Sequence, residues 1–143
     1  SVTAFFRDRA AFDRLALAVR ALVKEGKSAD ELRVWVVGCA TGEEAYSITM
    51  VLLEALREEG AGRQVRVFAT DVSQEALTHA RRGLYAQSIG AHVPRSYWSA
   101  ILTGWITAIR LEGRCARAYP SRGTTLLAIP HLCVQISSVA AIC

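Results

Sequence analysis

An α/β fold with a doubly wound parallel sheet is predicted by three features of this 143-residue chain. Val34, Trp35, Val36 and Val37 form a short apolar run that ends in a tight turn at Gly38. A helical pattern opens at Thr41. A second apolar run, Val67 to Ala69, then ends in a carboxylate at Asp71. Strand, glycine turn, helix, strand and acid, in that order, open a nucleotide-binding sheet. A parallel strand is covered on both faces, so it is expected to be apolar throughout rather than alternating.

The elements follow in chain order. A helix from about Arg9 to Lys24 places Phe12, Leu15, Val19, Leu22 and Val23 on one face. Gly26 to Asp30 is a polar link, and Leu32 to Val37 is the first strand. The second helix runs from Gly42 to Glu59, with Ala45, Ile48, Leu52 and Leu56 as its buried stripe, and stops at Gly60. After a loop from Gly60 to Gln64, Val65 to Ala69 is the second strand. The third helix, Gln74 to Arg82, ends at Gly83, and beyond Tyr85 the periodic pattern fades. A sheet of only two strands would leave unpaired edges, a liability that the apolar tail could cover by collapsing onto them.

The glycine turn carries chemical information. It reads Gly38-Cys-Ala-Thr-Gly42-Glu-Glu, not Gly-x-Gly-x-x-Gly. Glu43 and Glu44 would repel a phosphate, so the turn favours a cofactor without one and weighs against a dehydrogenase. Gly38 lets backbone approach a ligand closely, and Asp71 is placed to accept hydrogen bonds from two ribose hydroxyls. Blander roles compete. Thr41 to Glu44 is also a capping box, in which Thr41 caps the helix and Glu44 reaches back to it. Asp71 could cap the third helix, a role for which Ser73 competes.

These residues resemble the chemotaxis receptor methyltransferases of the CheR type, across several separate motifs. The carriers are Arg33 to Ser47 (RVWVVGCATGEEAYS), Val67 to Asp71 (VFATD), Ala76 to Tyr85 (ALTHARRGLY), and Ser1 to Asp8 (SVTAFFRD), similar to the family's Asn-x-Thr-x-Phe-Phe-Arg-Asp. The resemblance implies a partial Rossmann-like sheet of the class I S-adenosylmethionine-dependent methyltransferases. It implies S-adenosylmethionine as cofactor, held by Thr3, Arg7, Gly38, Glu44 and Asp71, with Arg7 also catalytic, near the transferred methyl. It further implies methyl transfer to glutamate carboxylates of a chemoreceptor's cytoplasmic domain, in the cytoplasm. Ser1 replaces the family's Asn. Phe5 and Phe6 read as core anchors, and Arg7 could instead be a solvated charge. A cofactor-binding sensory module of a larger signalling protein is the alternative function.

Composition divides the chain at Val93. Up to that residue acidic and basic side chains balance; beyond it stand five Arg and one Glu, so the whole net charge of +4 comes from the tail. A basic chain ordinarily suggests nucleic acid or membrane as partner. Neither is expected here, because the tail reads as out of frame. Arg outnumbers Lys 15 to 2, which suggests a GC-rich gene. When each codon is begun at the third base of the last, Val93 to Ile101 permits Ser-Pro-Glu-Leu-Leu-Glu-Arg-Tyr-Phe. From Ala128 the shifted frame permits Asp-Pro-Pro-Leu-x-Arg-x-Asp-Leu-Ile-Ser-Cys-Arg-Asn-Leu, close to a later strand of the same family. Residues 1–93 are therefore expected to be a partial methyltransferase domain, and 94–143 an out-of-frame tail, irregular or non-native, with an inactive product as the consequence. A chain that begins at Ser1 inside a motif reads as a fragment.

The remaining tail features carry little. Cys115, Cys133 and Cys143 lack metal-site spacing, and His131 has no partner pair. Cys39 reads as a small turn residue. Thr124 to Cys143 is uncharged, but Pro130, His131 and Gln135 interrupt it as a membrane span.

Overall fold

Two parallel strands form the centre of the computed structural model, which describes residues 3–25, 31–60, 62–98, 109–113 and 134–139. Strand β1 (Glu31–Val37) pairs with β2 (Gln64–Asp71) in parallel register, Val34 beside Val67 and Val37 beside Thr70. Helix α1 (Arg9–Glu25) precedes β1, α2 (Glu43–Glu58) crosses from β1 to β2, and α3 (Gln74–Arg82) follows β2. Two short 3-10 turns, Gln87–Ala91 and Arg95–Tyr97, come next. Each helix lies within a residue or so of its sequence-based bounds. The link at residues 26–30 lies outside the described residues.

Most of the C-terminal third also lies outside the described residues, but two stretches within it are strands. β3 (Ile109–Gly113) pairs parallel to β2, and β4 (Val134–Val139) pairs antiparallel to β1. The sheet order is β3-β2-β1-β4. Both edges of the central pair are thus covered, which removes the unpaired backbone groups that a two-stranded sheet would expose. From β1 the chain moves through β2 to β3 on one side, while β4 lies on the other. The strand order reverses at β1, the position where open α/β sheets bind ligands beyond the strand ends.

Burial in β1 alternates, contrary to the expectation of a strand covered on both faces. Leu32, Val34 and Val36 are buried, whereas Arg33 and Val37 are exposed and Trp35 is half-buried. The cause is topological. Parallel crossovers are right-handed, and both of them here, β1-α2-β2 and β2-α3-β3, step in the same direction across the sheet. Both helices therefore pack on one face. On the other, Glu31 forms ion pairs with Arg33 and Arg66.

The core lies between that helical layer and the sheet. Helix α2 is its centre, with Ile48, Leu52, Val51 and Ala55 almost wholly buried. Burying a side chain the size of Ile48 or Leu52 stabilises the fold by roughly 1.5–3 kcal/mol. Helix α1 contributes Phe12, Leu15, Val19 and Val23, as its periodicity predicts. Arg20–Glu58 and Lys24–Glu59 ion pairs link α1 to the end of α2; at such exposure each is worth about 0–1 kcal/mol. Phe5 and Phe6 are buried in the same core, confirming them as anchors. No described helix is long and apolar enough to cross a membrane, and the 124–143 run falls largely outside the described residues.

The start of α2 departs from the capping-box expectation. Its N-cap is Gly42, not Thr41, and no side chain caps it. Gly42 has φ 100, and an added Cβ would lie 2.7 Å from the Tyr85 hydroxyl and 2.9 Å from the Ala80 Cβ. Gly42→Ala combines a left-handed backbone with a steric clash, so it should destabilise the fold by about 3 kcal/mol. Urea unfolding checks this. The matched control is Gly60→Ala at the other end of α2, where φ is also positive but, among the described residues, no atom lies within 4 Å of the new methyl; it should cost clearly less.

Candidate cofactor-binding site

Three of the five residues in the turn after β1 are left-handed. Gly38, Ala40 and Gly42 have φ of 71, 47 and 100. Such a run needs external support, and β2 provides it. The Gly38 and Cys39 amides both donate to the Thr70 carbonyl, at 2.8 and 3.0 Å. The Ala40 amide donates to Asp71 Oδ2 at 2.8 Å. The other carboxylate oxygen, Oδ1, accepts from the Ser73 amide at 2.9 Å. Ser73, not Asp71, caps α3, its hydroxyl accepting from the Ala76 amide at 3.2 Å. Asp71 therefore has a structural duty that the sequence did not suggest: it holds the left-handed Ala40 in place. A carboxylate has about four acceptor positions, so two amides leave room for two further donors. Beside Gly38 there is open space among the described residues, with none of their atoms within 4 Å of where a side chain would begin.

The two glutamates of the turn divide their work. Glu43 Oε2 accepts from the Thr41 hydroxyl at 2.6 Å. Glu44 instead lines a cleft of about 480 Å³ with Thr3, Ala4, Arg7, Asp8, Arg9 and Phe12. Burial raises the Glu44 pKa above the ordinary carboxylate value, and the nearby Arg7 cation opposes that shift. The N-terminal strap that carries Thr3 and Arg7 is fastened on both sides of Arg7. The Phe6 amide donates to Ser47 Oγ of α2 at 3.1 Å, and Phe6 itself is left-handed, with φ 48. Its ring packs on Phe12 and stacks on Tyr97, with centroids 4.9 and 5.0 Å apart. Asp8 accepts from the Ala11 amide at 3.1 Å and so caps α1.

The five residues singled out from the sequence therefore fall into two groups. Thr3, Arg7 and Glu44 meet around the cleft. Gly38 and Asp71 do not line it; they stand at the ends of β1 and β2, joined to each other through Thr70 and Ala40. The residues 38–42 connect the two groups. Asp8, Arg9 and Phe12 also line the cleft and were not singled out. An Asp three residues before the first helical turn closes is a legible cap signal that could have identified Asp8.

Cys39 is buried, and its thiol pKa is pushed up to about 11, chiefly by burial and then by the Asp71 charge. At neutral pH it remains a thiol and is no nucleophile. The remaining cysteines lie outside the described residues. Among the described residues no group of three or more His, Cys, Asp or Glu could hold a metal ion.

A mixed sheet with a glycine turn after its order-reversing strand β1 and an acid at the end of the parallel neighbour β2, beside a cleft of mixed charge, defines a cofactor-binding α/β domain without a phosphate loop. Comparison with known proteins specifies it. The family described as CheR methyltransferase, SAM binding domain, matches residues 1–104, and the chain belongs to that family. The cofactor of that domain is S-adenosylmethionine. A chemotaxis protein methyltransferase of Borreliella burgdorferi is 33% identical over 96 residues, 65% of this chain and 34% of the relative. That of Escherichia coli (strain K12) is 40% identical over 85 residues, 59% of this chain and 27% of the relative. An uncharacterized 104.1 kDa protein of Rhodobacter capsulatus is 38% identical over 103 residues, 71% of this chain and 11% of the relative. The chain thus spans about a third or less of the length of these relatives.

The Glu44 environment has a consequence for stability. Because burial raises its pKa, the folded state keeps the proton to a higher pH than the unfolded chain does. The resulting penalty is absent below the unfolded-state pKa and grows as pH rises through the folded-state pKa. Glu44→Gln should therefore be more stable than the parent chain at neutral pH, with the difference vanishing as pH falls below the ordinary carboxylate range. Melting temperatures of both chains from pH 3.5 to 8 check the trend.

Proposed function

We propose that Thr3, Arg7, Gly38, Glu44 and Asp71 hold S-adenosylmethionine in this chain, as part of an enzyme that methylates glutamate carboxylates of chemoreceptors. The observation that carries this reading is the pairing of opposite charges in one cleft: Arg7 and Glu44 line it together. The cofactor's amino-acid end bears a carboxylate and an ammonium. Arg7 offers the first a planar fork of donors, Glu44 offers the second a carboxylate, and Thr3 adds a hydroxyl. A phosphate-bearing cofactor would meet Glu43 and Glu44 at the helix end where it wants amides. The remaining acceptor positions of Asp71 suit the two ribose hydroxyls, and the space beside Gly38 admits a ligand close to backbone.

When bound, S-adenosylmethionine supplies a methyl group on a sulfonium whose departure leaves a neutral thioether. A glutamate carboxylate is already the nucleophile, so no strong base is needed and positioning supplies most of the acceleration. Arg7, exposed at the rim of the cleft, would then touch the substrate carboxylate and act as the catalytic residue. The names of the Borreliella and Escherichia relatives, chemotaxis protein methyltransferase, support a chemotaxis role; the protein substrate we propose is the cytoplasmic domain of a chemoreceptor, and the proposed location is the cytoplasm. In an enzyme holding the family's complete domain, Arg7→Lys keeps the charge and loses the fork. It should cut methyl transfer at least about tenfold while leaving the melting temperature nearly unchanged; radiolabelled methyl incorporation beside a melting curve checks it.

We infer further that residues 94–143 are an out-of-frame tail, so that the later wall of the site is lacking and this chain binds weakly. Titration of the 15N-labelled chain with S-adenosylhomocysteine tests both inferences. Binding weaker than micromolar, or about −8 kcal/mol, should shift the amides of the strap, of the 38–44 turn and of Asp71. Micromolar or tighter binding would overturn the out-of-frame reading. No shifts at millimolar ligand would overturn the site. Asp71→Asn should weaken binding about tenfold or more by removing a charged acceptor, whereas Thr78→Ala on α3 should leave it unchanged.

A further inference from the structure

Tyr85 stands outside the cleft, between the N-terminal strap and the turn that leads into α2. Its hydroxyl donates to the Thr41 carbonyl at 2.7 Å, within the left-handed turn. Its ring takes the edge of Phe5 at a centroid distance of 4.9 Å, perpendicular to it. Thr41 precedes the helix that carries Glu44; Phe5 sits between Thr3 and Arg7 on the strap. One side chain, 44 residues along the chain from Thr41, therefore contacts both the strap and the turn that leads into α2. The fit is close, because the same hydroxyl occupies the space that any Cβ on Gly42 would need. The ring is itself held from behind by Tyr46 and His79, each with a centroid 5.7 Å away. Burial raises the Tyr85 pKa well above that of an ordinary phenol, so the hydroxyl stays protonated and remains a donor at any physiological pH.

From this juxtaposition we infer that Tyr85 is a positioning residue for the cofactor: it sets the separation between the Thr3–Arg7 strap and the Glu44 end of α2. Tyr85 touches no part of the cleft itself; it is absent from the lining. Its effect passes through Phe5 on one side and the Thr41 carbonyl on the other. The inference rests on the proposed cofactor site for its functional consequence, and on the fold alone for the clamp.

Tyr85→Phe deletes the hydroxyl and keeps the ring. Tyr46→Phe is the matched control. It also removes a hydroxyl bonded to a backbone carbonyl, that of Ala80 at 2.9 Å, but this bond runs to α3 and not to the turn. Amide hydrogen exchange of the 143-residue chain gives the direct readout. Tyr85→Phe should speed exchange in the 41–46 segment about five- to tenfold, the loss of one partly buried hydrogen bond, while Tyr46→Phe leaves that segment within about twofold. Phe5→Leu, which removes the ring edge but keeps an apolar plug, should loosen residues 4–8 and spare the turn. In S-adenosylhomocysteine titrations, Tyr85→Phe should raise Kd about five- to tenfold, with Tyr46→Phe unchanged even if both variants melt earlier by the same amount. Equal exchange in the two tyrosine variants would overturn the clamp, whether or not ligand binds. Unaltered Kd in Tyr85→Phe would overturn its positioning role. A parent chain that shows no ligand shifts at all would instead overturn the proposed cofactor site, and exchange would still decide the clamp.

Discussion

The turn at residues 38–42 depends on the missing side chain of Gly42. The backbone there is left-handed, and three neighbours, Tyr85, Ala80 and Tyr46, close around the glycine. With a Cβ at that point, either α2 moves outward or the tyrosines do. If α2 moved, the Ser47 hydroxyl that holds the Phe6 amide would move with it, and the strap would lose its alignment with Glu44. Strap, turn and α2 thus form one mechanical unit anchored at a single crowded glycine. The cost of holding Ala40 in a left-handed conformation, on the order of 1–2 kcal/mol, is offset by the hydrogen bond from its amide to Asp71.

Much of this was legible in the chain. The strand ends at Gly38 and Asp71 follow from apolar runs broken by a glycine and an acid, the first two helices follow from their periodicity, and the ends of the second and third from Gly60 and Gly83. What could not be read depends on contacts distant in sequence. Thr41 followed by two glutamates has every local mark of a capping box, yet the crowding around Gly42 makes the glycine the cap and turns Thr41 to Glu43. Asp71 reads from the sequence as a ribose acceptor, whereas its bond to Ala40 exists only because β1 and β2 lie side by side. Tyr85 lies where the helical pattern fades, so nothing local marks it. The one-sided burial of β1 follows from the direction of two crossovers, not from the composition of the strand.

The strand order explains the division of the site into two groups. Gly38 and Asp71 belong to the sheet and are fixed by register. Thr3, Arg7 and Glu44 belong to the strap and to the start of α2, and are fixed by side-chain contacts. A ligand with a sugar at one end and an amino acid at the other matches that division, since the rigid ends of the two central strands can fix the first while the charged cleft receives the second. The same division assigns separate tasks to the two glutamates. Glu43 stays in the turn, and Glu44 faces the cleft beside Arg7.

The crystal structure of this chain soaked with millimolar S-adenosylhomocysteine is the most direct test that the two groups form one site. The account predicts ribose hydroxyls on the Asp71 carboxylate, with the amino-acid end between Arg7 and Glu44. A ligand bound away from β1 and β2, or one whose ribose sits in the cleft while Asp71 stays without contact to it, would contradict the account.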